Sequence, residues 1–508
     1  MNVLVIGSGP SGIAAAHALI GRGLDVQMVD GGEALEPAKV AQLATLRQLP
    51  PPWTAAQTEG LRGGLLADRR GVRQKRAFGS DFPYRGVDFL HAPATVRAAA
   101  SLATGGLSHV WGAAVWQWPA ADLAGWPVTE RELAPHFAAL RAVVGLSGGP
   151  EPASPASDAA CPDHVGEPVR RVLGHWRQQA PALQACGWRA HPSWLAIDLP
   201  SCTRCGLCLH GCPHASIWTS QGVLERWRRA ATIRHLPYQR VEALREDAAG
   251  VAVEMRDRRT GERSTLRASR VFLAAGALPS AWLLATSLQR AETVLQTSQY
   301  FLVPFLPDVA SPGALRDAEV TLAQAYLQRA PQPGGHGGAH LQLYGPNDIH
   351  AAAIARVWGP LAAALSGLTT QLADRLMSFQ GYLSSADSPR IAATLRADRL
   401  ELAPIPHSPT RGIVAALCAE LAAQRHALGG RLLRPLLHLG VPGEGAHLGG
   451  SWPMSVDPGP YQTDRWGRPR AWQRVHVVDA SVLPSLGAAT LTWNVMANAH
   501  RIAAEVPL

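Results

Sequence analysis

The chain has 508 residues, 47% of them apolar, and a formal net charge of +9. That length is material for two or three domains or one interleaved pair, and that apolar share supplies a large core and excludes a globally disordered chain. Only Lys39 and Lys75 among the 47 basic residues are lysines, and the arginines are scattered, which excludes a basic nucleic-acid arm and leaves a solvated surface as the ordinary reading.

Val3 to Ile6 is a short all-apolar run, as expected of a strand buried on both faces. It starts too close to Met1 to leave room for a secretory leader. Gly7-Ser8-Gly9-Pro10-Ser11-Gly12 follows, then a helix-favouring Ala-rich stretch, Ile13 to Leu19, halted by Gly21-Arg22-Gly23. Leu24 to Val29 reads as a second strand ending on Asp30. Each part has a physical task in holding a dinucleotide. Gly7 permits a tight turn, Gly9 lets the backbone approach a pyrophosphate, and Gly12 lets helix and strand pack closely. The helix N-terminus offers N–H groups to phosphate, and Asp30 can accept hydrogen bonds from ribose hydroxyls. Alone, this unit does not separate FAD from NAD.

Residues 101–118 form a small-residue loop rich in Trp. Residues 129–142 read as an amphipathic helix, and 147–165 as a Gly/Pro/Ser/Asp-rich loop. Cys202, Cys205, Cys208 and Cys212, followed by Pro213, have the C-x2-C-x2-C-x3-C-P spacing of bacterial ferredoxins. Four of the seven cysteines in eleven residues point to an iron–sulfur cluster, read as 4Fe–4S. Zinc or a merely structural loop are the other readings. Cys212 is the expected fourth ligand, with Cys161, Cys186 and Cys418 as remote alternatives.

Residues 251–256 and 271–275 are strand-like, the latter running into Gly276. From 296 to 405 alternating segments (Val320–Leu327, Ala339–Tyr344, Met377–Leu383 and Arg390–Leu402) predict an antiparallel sheet, interrupted by a helix-like stretch near 349–375. Arg356, Gly359 and Pro360 make that stretch too broken for a membrane span. A helix over Gly412–Leu428 and a buried strand at Val475–Asp479 complete the chain. A cytoplasmic protein is expected, where thiols stay reduced.

Several ordered segments together resemble the glucose–methanol–choline (GMC) oxidoreductase family. Gly105-Gly106-Leu107-Ser108 with Trp111-Gly112 is similar to its Gly-Gly-x-Ser loop beside the flavin. Trp126-Pro127, Glu132-Leu133, His136-Phe137 and Val144 to Gly148 follow the version in sugar-oxidising branches. Ala274 to Ala277, with Pro279-Ser280, resembles a second signature, and Val478-Asp479-Ala480-Ser481-Val482-Leu483-Pro484 the C-terminal flavin motif. The resemblance covers roughly residues 1–30, 100–145, 200–290 and 440–505. It decides for FAD and implies an α/β fold, with a Rossmann-like FAD-binding domain interleaved with an α+β substrate domain built on an antiparallel sheet. The expected division is 1–295 for the FAD domain with the cysteine loop at about 195–220, 296–440 for the substrate domain, and 441–508 returning to the FAD domain.

The resemblance also implies catalytic positions. His447, in His-Leu-Gly-Gly-Ser-Trp-Pro-Met, takes the place of the residue that accepts the substrate hydroxyl proton while hydride leaves carbon for flavin. Imidazole suits this, because its ordinary pKa lies near neutrality. The family's second active-site His or Asn is replaced by Thr490, which is no base near neutral pH, with Asn494 one turn further on as the alternative. Val110 occupies the position where some relatives attach flavin covalently, so non-covalent FAD is expected. The implied function is an FAD-dependent dehydrogenase for an alcohol, read as a sugar or glycoside hydroxyl, with an unnamed electron acceptor reached through the cluster. Gln342 to Asp348 resembles homologues linked to polysaccharide pathways, which favours the sugar. A redox-neutral epimerase, isomerase or reductase on the same flavin, and an electron carrier without a substrate, remain as alternatives.

Overall fold

The computed structural model describes residues 2–62, 65–67, 73–147, 162–315, 320–332 and 334–507. The loop expected at 147–165 therefore lies mostly outside the described residues, as do Gly148 and Cys161.

The apolar run of Asn2–Ile6 becomes the centre of a five-stranded parallel sheet. Its neighbours are Asp25–Val29 on one side and Arg270–Leu273 on the other. Arg234–Leu236 and Val475–Val477 form the two edges. Strands 2–6, 270–273 and 475–477 are buried almost throughout, which is why they read as unbroken hydrophobic stretches. The helices Pro10–Gly21 and Thr492–Glu505 pack on each other beside this sheet. Arg22 ties them, donating from Nη1 to the carbonyls of Ala503 (2.9 Å) and Val506 (3.0 Å). The helix Glu130–Arg141 starts in a capping box between Thr129 and Glu132, and its apolar face meets the C-terminal helix.

The region expected as one antiparallel sheet forms two. Glu292–Thr297, Arg390–Arg396 and Arg399–Ile405 are antiparallel neighbours in one, flanked by Leu448–Gly449 and Leu90–His91. The other has seven strands. Its central run is Tyr300–Pro307, Met377–Leu383, Ala339–Tyr344 and Ala323–Arg329, in that spatial order. Trp188–Pro192 is added at its far edge, antiparallel to 323–329. The helix-like stretch near 349–375 is three short helices, Asp348–Trp358, Leu361–Ala364 and Ser366–Ala373.

The seven-stranded sheet is two-faced because its residues alternate. Phe301, Val303, Phe305, Leu341, Leu343 and Phe379 point one way, into a second apolar core. The helices Glu167–Gln178 and Thr410–Ala423 close that core through Val169, Leu173, Trp176, Val414, Leu417 and Leu421. Tyr300, Leu302, Gln342, Tyr344, Gln380 and Tyr382 point the other way, onto a large cavity against the parallel sheet.

Candidate active site: a nucleotide cradle opening onto a polar sheet

The cavity has a volume of about 1260 Å³. One end is the turn between the first strand and first helix. Gly7 has φ of +103°, and a Cβ there would lie 2.3 Å from the Ala274 carbonyl oxygen. A Cβ on Gly12 would lie 1.9 Å from the Gly7 carbonyl oxygen. Gly9 meets nothing within 4 Å, so its backbone faces open space at the head of the helix. Two of the glycines are thus needed for packing and one leaves room for a ligand.

Asp30 ends the second strand, buried to 7% exposure. Its carboxylate accepts hydrogen bonds from the Ser8 hydroxyl, the Gly32 N–H (3.1 Å) and the Thr104 hydroxyl (3.3 Å), and His235 Nε2 lies 3.1 Å away. Ser8 Oγ in turn accepts the Gly105 N–H at 2.8 Å. One hydroxyl therefore locks the Gly-Gly loop to the nucleotide turn. Gly105 has φ of +90° and caps the short helix Gly106–His109. Ser108 Oγ donates to the Gly105 carbonyl (2.6 Å) and accepts the Ser220 N–H (3.1 Å), so its polar capacity goes into holding the loop. His109 turns onto the Thr104 carbonyl and the edge of Phe82, whereas Val110 lines the cavity.

The floor comes from the third crossover. Gly276, at φ of +95°, caps the helix Ala277–Ser287. Asp479 accepts the Gly276 N–H (2.8 Å), the Ser481 N–H (2.9 Å) and the Ser280 hydroxyl. Burial pushes its carboxyl pKa upward, against the pull of those donors.

At the other end stands His447, just before the strand Leu448–Gly449. Its ring stacks on Tyr382, centroids 4.5 Å apart. Burial lowers its pKa to about 4, so the ring is neutral near pH 7. Its Nδ1 has no hydrogen-bond partner among the described residues. The Thr490 hydroxyl is likewise buried without a described partner, and Thr490 lines the same cavity. Asn494 does not line it. Its Nδ2 donates to the carbonyls of Trp116 (2.8 Å) and Thr490 (3.0 Å), and its Oδ1 accepts the Trp118 N–H (2.9 Å). That amide is a staple behind the wall, because the helix starts at Thr492 and turns position 494 into the core.

Sequence reasoning did not single out Tyr382, Gln380, Tyr300 or Lys75, all of which line the cavity. The alternation of the sheet was the available signal for the first three. Lys75 Nζ donates to the Trp111 carbonyl (2.8 Å), and burial lowers its pKa to about 8.

Cys202, Cys205, Cys208 and Cys212 line one small pocket of about 10 Å³, the room of a single water. Each sulfur accepts a backbone N–H, from Arg204, Leu207, Thr321 and Ser216 respectively. Burial pushes the Cys208 thiol up to about 12. Cys208 interacts electrostatically with Lys75, and its neighbour Leu209 lines the large cavity. Cys186 and Cys418 belong to the second apolar core. The expected cluster is not met by a formed metal centre: among the described residues no three His, Cys, Asp or Glu side chains are arranged to hold a metal ion.

A parallel-sheet nucleotide cradle opening onto a histidine and a polar antiparallel sheet defines a dinucleotide-dependent oxidoreductase. A family model described as GMC oxidoreductase matches residues 439–499, the span that holds both His447 and Asp479. The chain is 26% identical to 6'''-hydroxyparomomycin C oxidase of Streptomyces lividus, over 98% of its own length and 90% of that protein. It is 25% identical to paromamine 6'-oxidase of Streptomyces fradiae, over 99% and 91%. Pyridoxine 4-oxidase from Mesorbium loti has the same fold, with a TM-score of 0.61, 17% identity and coverage of 99% and 98% of the two chains. These similarities support the GMC oxidoreductase family and an FAD-dependent oxidoreductase acting on CH–OH groups, and the structural likeness supports the shared fold. The recognition and the α/β fold class drawn from sequence are borne out. The cradle suits FAD: Gly9 leaves open space for a pyrophosphate, while Asp30 and Asp479 are held ready as acceptors at its two ends.

Proposed function

We propose that the protein oxidises a sugar or glycoside hydroxyl, with His447 as the base and Thr490 on the wall of the same cavity. The observation that carries this is His447 on the cavity wall, neutral, its Nδ1 unpartnered, stacked on Tyr382 above a polar sheet face. Gln342, Gln380 and Tyr344 offer donors and acceptors to several hydroxyls at once, which is what a polyol needs. FAD, when bound along the cradle, supplies the two-electron acceptor for the substrate carbon. His447 takes the hydroxyl proton on its imidazole, and the unpartnered Nδ1 leaves the ring free to change tautomer. Thr490 can donate one hydrogen bond to the substrate oxygen but cannot exchange a proton as a base. Gly7, Gly9, Gly12, Asp30, Gly105, Gly106, Gly276 and Asp479 shape the cofactor site, and Ser108 holds its loop. His109, turned away, and Val110, facing in, favour non-covalent FAD. The sugar assignment is supported by the two aminoglycoside-named relatives.

The four-cysteine loop is proposed as an iron–sulfur ligand set beside this cavity. Its support is the spacing and the N–H directed at each sulfur. Cys202, Cys205, Cys208 and Cys212, which line one small pocket, would hold the cluster, which would supply a one-electron exit.

Anaerobic mixing with candidate sugars tests the reaction. Bleaching of the flavin absorbance by a sugar, lost in His447→Ala with FAD retained, is the expected result. Product without any external acceptor points instead to an isomerase, and no bleaching by any alcohol to an electron carrier. Iron and acid-labile sulfide in anaerobically purified protein test the cluster; zinc without sulfide would refute it.

A further inference from the structure

The outer side of the cavity mouth carries an apolar surface that the redox chemistry does not use. Val357 is 80% exposed, Leu361 63%, Leu365 46%, Leu368 55% and Leu436 61%. These are five of the eleven large hydrophobic residues exposed among the described residues, so they form a patch rather than a scatter. Val357, Leu361 and Leu368 lie on the three short helices between Asp348 and Asp374, Leu365 sits at the junction of the last two, and Leu436 lies on the turn Arg434–Leu436. Between those two aspartates the only ionisable side chains are His350 and Arg356. His350 is tied to the Leu376 carbonyl and the Ser378 hydroxyl.

The same segments form the inner wall. Ile354, Val357, Trp358, Leu372, Leu433 and Leu436 line the cavity. The patch is therefore continuous with the mouth.

The charges at the rim without an ion-pair partner among the described residues have one sign. Asp348 is paired with Arg62 (2.7 Å) and His210 (2.8 Å), and Glu444 with His438 (2.9 Å). Asp374 is buried and accepts the N–H groups of Gly313 and Leu315. Exposed Arg356 and Arg434 have no carboxylate partner among the described residues. Leucines flanked by unpaired arginines, with a half-buried Trp358 at their border, make the pattern of a helix that lies in a bilayer interface. No helix of the described residues is long and apolar enough to cross a membrane. We propose that this rim docks on the surface of an anionic lipid bilayer and seats the cavity mouth against the lipid. The docking does not depend on which alcohol is oxidised.

The test is flotation of the full-length, FAD-loaded protein with vesicles of phosphatidylcholine, with and without phosphatidylglycerol. The wild type is expected to float with the phosphatidylglycerol vesicles and less with phosphatidylcholine alone. The double variant Leu361→Glu/Leu368→Glu, whose residues do not line the cavity, should partition about tenfold less or worse, as two lost leucine burials require. Its flavin absorbance and turnover of a water-soluble alcohol should stay as in the wild type. Should that variant not fold, Leu365→Gln/Leu368→Gln gives the same readout. No flotation of the wild type, or undiminished flotation of the variants, overturns the proposal. So does a wild-type dimer that the variants disperse without any lipid binding, which would make the rim a contact between two copies.

Discussion

The ring of Tyr382 lies on that of His447 at 4.5 Å between centroids, with the planes 22° apart. Tyr382 is fixed in the strand Met377–Leu383 with His340 as its cross-strand partner. The sheet thus sets the plane of the proposed base. Tyr382→Ala should lower kcat about fivefold, the loss expected when a stacking worth roughly 1 kcal/mol no longer orients the imidazole. Tyr382→Phe keeps the ring and should restore it. Steady-state kinetics on the two variants decide, and equal damage from both would remove the stack from the account.

Burial lowers the His447 pKa to about 4. The neutral form that accepts a proton then persists well below the ordinary imidazole range. The acidic limb of kcat/KM should fall near pH 4 rather than near 6.5. A limb at the ordinary value would show that the ring is solvated in the working enzyme.

The three glycines of the cradle should behave differently. Gly9→Ala has open space for its Cβ, so the protein should fold and melt as the parent does. FAD affinity should fall by about 10- to 100-fold, as for one lost charged hydrogen bond. Gly12→Ala collides with the Gly7 carbonyl and should lose stability as well as FAD. Thermal melts with FAD titration separate the two.

Asn494→Ala strips partners from a buried N–H and two buried carbonyls. It should cost about 2–4 kcal/mol of stability while leaving KM close to the parent value. A large fall in kcat with an unchanged melting temperature would instead give Asn494 a part in the chemistry.

Burial lowers the pKa of His164, His191, His350, His476 and His500 to about 4, and of His340 to about 3. Their folded values lie below the unfolded value of about 6.5. The unfolded chain therefore binds protons first as pH falls. Stability should be complete above about pH 6.5 and drain away between there and pH 4. Denaturant midpoints measured across that window test the sign.

The cradle was legible in sequence because its signals are local: an apolar run, glycines at fixed spacing, and an acid at the end of the next strand. The polar wall was not. Gln342, Gln380 and Tyr382 show ordinary strand alternation, and only the packing of Phe301, Val303 and Phe305 against distant helices decides which face looks inward. The edge strand Trp188–Pro192 was hidden for the same reason, since its partner strand, Ala323–Arg329, is more than 130 residues away. At the helix Thr492–Glu505 spacing alone left Thr490 and Asn494 as rivals. The start of the helix separates them, placing one on the cavity and the other behind it. The cysteine run was legible as a donor set, but whether its sulfurs stand at ligand distance is a matter of loop conformation that spacing does not fix.

The parallel sheet joins residues 2–6 to 270–273 and 475–477, and the first helix rests on the last. Nearly the whole polypeptide must therefore emerge from the ribosome before its opening thirty residues are properly supported. Contacts between such distant segments form slowly. Until they do, the nascent N-terminus presents bare apolar strands, and cofactor capture comes as one of the last acts of biogenesis rather than the first.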